Sequence, residues 1–464
     1  LLVDRDAMPD IGDVSRRMLA LAGMRIDPTS NGPFQTSFNR GITLVKRDDL
    51  LKNNPSNIRM KLPVDVKISR ITWSHNSKYF SFAVVTDQGQ QLWVATVGDP
   101  TPRLLSNRLN TIMAGPRWLP DGEHMLCLLA PEDQGDEPAP AKVTVGPNIQ
   151  ESYGQTSPTR TYQDLLQNGH DEALFEHYAT TQLSIVGVDG SVKPIGKPKM
   201  YTGMAPSPSG DYVLTTNLKK PFSYLMTYRS FPRDIAVQKI NPDSSGPNSF
   251  VVANIPMDEN IPIEGVRTGP RNINWKSSTE ATLIWNEALD GGDPGVEIPF
   301  RDSYMTLAAP FDETPQELLK VQHRAYGISF FADPSIVTTT EYDRDRRWVR
   351  TLLHDLKLPE ATPKALTDRS IRDRYGDPGS VVNTLDETGH SIAKQDGDWI
   401  YRIGAGASPK GNLPFIDRQN LKTLETERLW RCDEGNYDSV VAIVKSSDSD
   451  KPVIITNSET PTTP

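Results

Sequence analysis

The sequence has 464 residues, with 50 basic and 59 acidic side chains, and its formal net charge is −9. This length allows two to four ordinary domains or one large all-β unit. The acidic balance argues against nucleic acid as a partner, because phosphate binding needs a basic face. The 38 prolines and 32 glycines are too many for a mainly helical protein. No stretch approaches the roughly 18 consecutive apolar residues of a membrane-spanning helix, so we predict no membrane span.

The chain begins at Leu1 without an initiator Met or an apolar leader, and we expect any targeting segment to be absent from this sequence. It contains two cysteines, Cys127 and Cys432, which are far apart. Two buried free thiols are a better interpretation than a disulfide framework or a zinc site.

One pattern then recurs along the chain. An aromatic or apolar residue is followed by a turn of Ser, Asp, Asn, Gly or Pro and then by an apolar strand. Asp-Gly and Ser-Gly favour such turns because they tolerate the positive φ of tight hairpins. The strands predicted in this way cover residues 79–85, 91–96, 124–129, 211–215, 281–285, 335–340 and 390–393.

The turns recur every 45 to 88 residues, and four strands in about 40–55 residues are typical of a β-propeller blade. We therefore predict an all-β fold over residues 1–464, a β-propeller of seven or eight blades with the last blade incomplete. A β-sandwich with long loops is the alternative, but it does not need so regular a repeat. We expect Trp73, Trp118 and Trp275 to pack between neighbouring blades, because contacts between sheets need wide apolar side chains.

An insertion is predicted at about residues 131–180. Its first part, 131–159, is rich in Pro, Gly, Ser and Asp and is typical of a loop. Residues 162–178 have apolar side chains at partly helical spacing, which predicts two short helices separated at Gly169. Their apolar stripe is expected to pack on a sheet rather than to form a groove for a partner.

The sequence contains no complete catalytic or cofactor motif. In Gly406-Ala-Ser408-Pro-Lys410 a lysine stands where a nucleophile elbow needs its second glycine. We predict no cofactor and no metal site, because phosphate loops and zinc motifs are missing. The two histidines at 170 and 177 are interpreted as surface residues. The acidic segment 287–294 lacks the alternating ligands of a calcium loop and is predicted to be a tight turn.

Residues 341–350 contain four arginines, and two interpretations stay open for them. They could belong to a hairpin whose strands are linked by salt bridges. They could also lie at the mouth of a cavity and bind a carboxylate, with which guanidinium groups form bidentate bonds. The candidate substrate-binding residues are Arg344, Arg346 and Arg347, followed by Arg267 and Arg271.

Several segments together resemble one known family. They are residues 161–166, 174–183, 269–275, 287–294, 341–348 and 406–415, and the similarity extends in order from residue 22 to the end. They resemble the N-terminal β-propeller of the glutamyl endopeptidase branch of the prolyl oligopeptidase family, which are serine peptidases of bacteria and plant chloroplasts.

The resemblance implies a propeller that gates a serine peptidase site and selects short or unfolded peptides, which are cleaved after acidic residues. Family members have their Ser, Asp and His on a C-terminal α/β-hydrolase domain, and this sequence stops at Pro464 before such a domain. No catalytic residue is therefore carried over. The implied partners are that hydrolase domain and peptide substrates. The resemblance allows a plastid stroma or a bacterial periplasm or cytoplasm, and the sequence decides neither the compartment nor the oligomeric state.

Two other functions stay open. The chain could be a propeller that binds proteins as a scaffold without catalytic activity, since propellers serve many functions. It could also be an enzyme with a site in the central channel of the propeller, although the missing nucleophile and metal motifs weigh against this.

Overall fold

The structure, a computed structural model, describes residues 1–6, 8–46, 49, 56–140, 161–241, 248–259, 261, 264–444 and 453–459. The chain divides into two compact units. Unit 1 comprises Leu1–Arg267, Ala308–Asp312 and Glu387–Gly389, and unit 2 comprises Thr268–Leu307, Glu313–Asp386 and His390–Pro464. The described strands of both units pair antiparallel with their neighbours, and helices are few and short.

Unit 1 begins with small sheets and continues into a regular meander. The elements up to residue 109 are β1 (Leu2–Arg5), α1 (Ile11–Val14), β2 (Leu19–Leu21), β3 (Met24–Asp27), β4 (Gly32–Pro33), β5 (Asn39–Val45), β6 (Asn57–Arg59), β7 (Lys67–Trp73), β8 (Tyr79–Thr86), β9 (Gly89–Thr96) and β10 (Arg103–Leu109). Strands β7 to β10 pair in sequence order. Aromatic and β-branched residues dominate β8, which is buried along most of its length.

The rest of unit 1 adds two more groups of four strands and the longer helix. Its elements are β11 (Arg117–Trp118), β12 (His124–Leu129), α2 (Gly169–Ala179), β13 (Gln182–Gly187), β14 (Val192–Pro194), β15 (Tyr201–Pro206), β16 (Tyr212–Leu218), a 3₁₀ turn (Tyr228–Ser230), β17 (Arg233–Lys239) and β18 (Ser249–Ile255). Strands β11 to β14 pair in order, as do β15 to β18. Side chains from both groups, among them Leu126, Leu183 and Tyr201, share one buried core, so the two sheets pack face to face.

Unit 2 repeats this arrangement. Its elements are β19 (Arg271–Trp275), β20 (Thr282–Ala288), β21 (Asp302–Ala308), β22 (Gln316–Val321), β23 (Arg324–Phe330), β24 (Ile336–Asp343), β25 (Trp348–Asp355), β26 (Lys364–Ser370), β27 (Ser380–Val381), β28 (Asn383–Leu385), β29 (Ser391–Ala393), β30 (Gln395–Asp396), β31 (Trp399–Gly404), β32 (Ala407–Ser408), β33 (Gly411–Asn412), β34 (Phe415–Asn420), β35 (Thr426–Arg431), β36 (Tyr437–Val444) and β37 (Val453–Glu459). Strands β19–β22 and β23–β26 form two four-stranded meanders, and β27, β31, β34 and β35 form a third sheet. Ile284 and Val337, from successive meanders, lie in one core.

The mainly-β prediction is confirmed, and each predicted strand corresponds to an observed one. The segment predicted at 124–129 is β12, which has the same bounds, and the segment predicted at 335–340 is β24, which begins one residue later. Cys127 and Cys432 are buried free thiols, as expected, and burial raises the pKa of Cys127. In the part of the chain that the structure describes, no helix has the length and apolar character needed to cross a membrane.

The prediction of two helices separated at Gly169 is wrong, because Gly169 is the first residue of a single helix. The Asn168 side chain accepts hydrogen bonds from the backbone N–H groups of His170 (2.9 Å) and Asp171 (3.0 Å) and so caps α2. Phe175 and Tyr178 lie in a buried core, which confirms that the apolar stripe packs within the fold. Residues 141–160 of the predicted insertion lie outside the described residues.

The tryptophan prediction is supported for Trp118, which shares a core with residues of β8, β9 and β12, and is wrong for Trp73, whereas Trp275 is shown only to be buried. Trp118 and Trp275 are 4% and 2% exposed, whereas Trp73 is 40% exposed. Trp73 is the last residue of β7, and its ring packs on Phe80 with a centroid distance of 5.4 Å. Strand β5 pairs with β7 opposite Ile68, near the other end of β7, so this pairing does not extend to Trp73.

Candidate functional site

The first strands of four meanders share an irregularity. In β7, β15, β19 and β23 the register against the following strand shifts within the first residues. Such a bulge inserts extra residues and changes the direction of their side chains. Asn272 of β19 takes the left-handed conformation, with φ of 56°, and Tyr326 is the inserted residue of β23.

In unit 2 a cavity of about 390 Å³ lies beside these two bulges. It is bounded by β19, β20, β21, β23 and the hairpin of β28 and β29. Its polar lining consists mainly of uncharged groups. Four carboxamides line it, those of Asn272, Asn274, Asn286 and Asn383, and three serines add hydroxyl groups. The described lining includes no Asp, Glu, Lys or Arg side chain, and His390 contributes an imidazole ring.

Aromatic side chains form the rest of the wall. Trp275, Trp285 and Tyr304 are 2–4% exposed, whereas Tyr326 is 75% exposed. The Trp285 indole Nε1 donates a hydrogen bond to Glu287 Oε1 at 2.7 Å, which fixes its ring. Burial raises the pKa of Tyr304, and the nearby Asp302 carboxylate adds to this effect, so its hydroxyl stays protonated. A cavity with carboxamides, hydroxyls and aromatic faces suits a neutral polar ligand.

A buried carboxylate links two arginines on the first strands next to this cavity. The Asp302 carboxylate is fully buried and accepts hydrogen bonds from Arg271 Nη2 (2.5 Å), Arg324 Nη1 (2.7 Å) and the Ala325 backbone N–H (2.7 Å). Asp302 therefore connects β19, β21 and β23. These charge-assisted bonds hold the two strands that border the cavity in a defined geometry.

A second carboxylate extends this network. Asp290 accepts hydrogen bonds from Arg324 Nη2 (2.5 Å), Arg301 Nη1 (2.9 Å) and the Gly292 backbone N–H (2.9 Å). Burial alone would raise the Asp290 pKa, but these bonds and the positive charge of Arg324 outweigh it and lower the pKa. The segment 287–294 begins with the last two residues of β20, and the predicted tight turn follows them, with a hydrogen bond from Asp293 N to Asp290 O. The inward direction of the Asp290 side chain was not predicted.

Asn286 joins the network to the cavity. In the amide orientation that satisfies both ends of its side chain, Asn286 accepts from Arg271 Nη2 at 2.8 Å and donates to the Arg271 carbonyl oxygen at 3.2 Å. Asn286 is buried and lines the cavity. The position of this carboxamide therefore depends on Arg271.

The five arginines proposed from the sequence lie in different environments. Arg344, Arg346 and Arg347 form the exposed turn of the hairpin between β24 and β25. The Arg346 guanidinium stacks on the Trp348 ring, 4.8 Å from its centroid, and lies 3.8 Å from Asp343. Arg271 is buried in the pair with Asp302, and Arg267 is partly exposed and belongs to unit 1.

Salt bridges do link the strands of this hairpin. Arg350 Nη2 donates to the buried carboxylate of Glu341 at 2.6 Å, across the pairing of β24 with β25. The predicted hairpin with salt bridges between its strands is therefore present in β24 and β25. The arginines of the turn itself are exposed to solvent. Their binding of a carboxylate stays a prediction.

Ser408, at the incomplete nucleophile motif, lies in an ordinary turn. Its hydroxyl donates to the Gly411 carbonyl oxygen at 2.7 Å and accepts from the Lys410 backbone N–H at 3.2 Å. His170 and His177 are partly exposed on α2. Among the described residues, no group of three or more His, Cys, Asp and Glu side chains is placed to hold a metal ion.

The cavity and its carboxamides were not predicted from the sequence. A signal was present in the segments 272–275 and 285–286, where asparagines alternate with tryptophans and an isoleucine. An asparagine is unfavourable in a strand interior, so its repeated use there could have indicated a polar cavity. The ion pairs join residues that are far apart in the sequence and gave no such signal.

The sequence comparison finds relatives that match the whole chain. The chain is 34% identical over 490 residues to a protein of Oryza sativa subsp. japonica named "Probable glutamyl endopeptidase, chloroplastic", covering 100% of this chain and 51% of that protein. It is 33% identical over 469 residues to the Arabidopsis thaliana protein of the same name, covering 96% and 48%. The chain thus spans about half the length of the curated relatives it matches. No protein-family profile matches it.

Solved structures with partial similarity include proteins of different activities. A prolyl endopeptidase structure has a TM-score of 0.45 and 12% identity, covering 87% of this chain and 49% of that chain. Prolyl oligopeptidase B from Galerina marginata has a TM-score of 0.47 and 11% identity, covering 96% and 55%. An oligogalacturonate lyase in complex with manganese has a TM-score of 0.43 and 10% identity, covering 84% of each chain. At these values the similarities indicate nothing about the function of this chain.

The fold and the cavity define a mainly-β protein built from successive antiparallel meanders, with a polar site beside two first strands. Within that class, the sequence relatives confirm the resemblance stated from the motifs. The chain is similar in sequence to about half of two proteins named as probable glutamyl endopeptidases.

Proposed function

We propose that this chain is the β-propeller part of a serine endopeptidase that cleaves peptides after acidic residues. The observation that supports this most is the match of the entire chain, at 34% identity, to about half of a protein named as a glutamyl endopeptidase. In the whole enzyme, the catalytic Ser, His and Asp would belong to an α/β-hydrolase domain outside this chain.

The strand pairing supports the propeller. In the described residues, six groups of four strands follow one another along the chain: β7–β10, β11–β14, β15–β18, β19–β22, β23–β26 and the sheet of β27, β31, β34 and β35. The pair β36–β37 follows them. Six groups followed by a pair of strands agree with six blades and two described strands of a further blade, and face-to-face packing of successive sheets is the packing of neighbouring blades.

The propeller would act by restricting access. Acyl transfer in such a peptidase needs a Ser nucleophile, a His base, an Asp that orients the His and backbone N–H groups for the oxyanion. A propeller that covers this site admits peptides that can thread to it and excludes folded proteins. Selection of short or unfolded substrates then follows from the size of the passage, without any catalytic group on this chain.

Acidic selectivity needs a cation near the substrate carboxylate, because an unpaired buried carboxylate is costly. The turn Arg344–Arg347 is the better candidate on this chain, since its arginines are exposed and Arg346 is held by Trp348. Arg271 is less suitable because its guanidinium already binds Asp302. The hydrolase domain could also supply the cation by itself, and kinetics with Glu and Gln substrates separate these cases.

The decisive experiment is to isolate the intact polypeptide from its source, measure its mass and test its activity. A mass well above that of 464 residues, labelling by a serine-reactive fluorophosphonate and cleavage after Glu would support the proposal. The 464-residue chain alone is the control, and we expect neither labelling nor cleavage, because Ser408 is a turn residue. An intact polypeptide of 464 residues that binds proteins but cleaves none would instead identify a scaffold.

A further inference from the structure

The cavity of unit 2 borders one edge of β23 that is not hydrogen-bonded to another described strand, although β29 lies near part of this edge. Among the strands that the structure describes, β23 pairs with β24 alone. The Ala325 N–H on the opposite edge donates to Asp302, and beyond Ala325 this edge presents backbone N–H and C=O groups beside the cavity. An unpaired edge of this kind binds an extended peptide by adding it to the sheet, and pockets for its side chains give the selectivity.

A glycine on this edge has no role in the fold itself. Gly327 follows the bulge of β23, and its φ is not among the positive values found in the chain. A Cβ atom built on Gly327 would meet no atom within 4 Å. Glycine lowers the stability of a strand, so neither backbone conformation nor packing explains its presence. Close approach of a backbone from outside the chain does explain it.

The neighbours of Gly327 have the chemistry of a peptide site. Tyr326 is 75% exposed at the cavity, and its ring is 5.8 Å from that of Tyr342, which supports it from one side. The carboxamides of Asn274 and Asn383 line the same cavity, and a carboxamide can donate to and accept from a peptide bond at once. The volume of about 390 Å³ accommodates a few small residues rather than a folded domain.

We propose that this cavity binds an extended peptide segment along the free edge of β23, with Tyr326 and the carboxamides contacting the peptide. The inference rests on the proposed function, because it makes the cavity a substrate subsite of the peptidase. The inference adds a location and a binding mode to that function. It also requires a glycine at position 327, because a side chain there would block the peptide.

The test uses the complete 464-residue chain and the fluorescein-labelled peptide amide Ala-Ala-Glu-Ala-Ala, with binding followed by fluorescence anisotropy. We expect Gly327→Val to weaken binding at least tenfold and to leave the urea unfolding midpoint unchanged or higher, because valine favours strands. Gly203→Val is the matched control. Gly203 also follows a bulge in the first strand of a meander, and its Cβ would meet only Thr216, at 4.0 Å. We expect its binding to equal that of the unchanged chain.

A second variant separates the loss of a peptide contact from misfolding. Tyr326→Ser removes an exposed ring, so it should fold normally and weaken peptide binding several-fold. Equal binding by the unchanged chain and by both variants at the cavity would overturn the proposal, as would the absence of peptide binding by the unchanged chain. Carboxamides and aromatic rings also bind sugars, so maltotriose is tested as a competitor. If maltotriose displaces the labelled peptide at a lower concentration than the unlabelled peptide does, the cavity is a saccharide site and the proposal is overturned.

The proposed function and this inference fail in different ways. If the intact source polypeptide cleaves Glu peptides with the same kcat/KM with and without Gly327→Val, the peptidase stands and the subsite falls. If the intact polypeptide cleaves no peptide, but the 464-residue chain binds the labelled peptide and loses this binding with Gly327→Val, the peptide site is supported and the peptidase function is refuted.

Discussion

The buried carboxylate Asp302 gives the sharpest test of how unit 2 is held together. We expect Asp302→Asn to destabilise the protein by about 3–5 kcal/mol, the usual cost of removing one partner of a buried ion pair. Oδ1 receives both Arg271 and Arg324, and Oδ2 receives the Ala325 N–H. Asparagine keeps one acceptor oxygen. If that oxygen faces the two guanidinium groups, the NH₂ group opposes the Ala325 N–H, and one hydrogen bond is lost together with the negative charge.

The remaining guanidinium groups cannot simply move into water. Arg271 is 7% exposed, and the side chain of Arg324 is 16% exposed. Asp290 would be left as the one carboxylate in direct contact with Arg324 and Arg301. The charge of Arg271 would then lack a partner of opposite sign, and this accounts for most of the expected loss.

Urea unfolding followed by tryptophan fluorescence measures this effect, because Trp275 and Trp285 are buried in the same unit. With a slope of roughly 3 kcal/mol per molar urea, the expected loss lowers the midpoint by about 1–2 M. Asp293→Asn is the matched control: Asp293 is exposed and accepts from the Gly295 N–H, a bond that asparagine can keep. A midpoint for Asp302→Asn equal to that of the control would refute the reasoning that this network stabilises unit 2.

Three further outcomes are expected. The pKa of Asp290 is lowered from its ordinary value of 3.8, so its contribution to stability is complete above that value and is lost as the pH falls through the lowered pKa. The difference in unfolding midpoint between the unchanged chain and Asp290→Asn should therefore shrink between about pH 6 and pH 2. A constant difference would contradict this. Asn168→Ala should cost about 1 kcal/mol by removing the cap of α2, whereas Asn168→Ser should cost only a few tenths; equal urea midpoints for the two variants would show that the cap is unimportant. In the intact endopeptidase that we propose, Arg346→Met with Arg347→Met should reduce the preference in kcat/KM for Glu over Gln by about 1.5–3 kcal/mol. An unchanged ratio would remove these arginines from the account of specificity.

The strands were predictable because their signal is local. In 124–129 a turn of Pro, Asp and Gly precedes a short apolar run, and the observed strand His124–Leu129 has the same limits. The helix α2 could have been predicted better from equally local information. Asn168 followed by Asp171 and Glu172 is a typical helix start, and a glycine directly after a capping residue does not interrupt the helix that begins there.

The candidate site was less predictable because it depends on which strands are neighbours. Asp290 and Arg324 are 34 positions apart, and their contact requires that the turn after β20 and the first residue of β23 come together. A pattern of residue types along one strand contains no information about this. The same limit explains Arg271, which was proposed as a ligand-binding residue from its place beside a turn and is in fact paired with Asp302.

The repeated bulge shows how one backbone feature can serve packing in one sheet and a cavity in another. In unit 1 the bulge residues are used within the fold: Arg70 donates to the Thr111 carbonyl oxygen at 3.0 Å, and Thr202 donates to that of Thr216 at 3.3 Å. In unit 2 the bulge of β23 instead exposes Tyr326 at the cavity. The position of the bulge therefore determines which side chain departs from the regular alternation of the strand. The type of residue at that position determines whether its side chain packs within the fold or remains exposed to a ligand. Because these two determinants are independent, a ligand site can be added to a meander without changing its strand pairing.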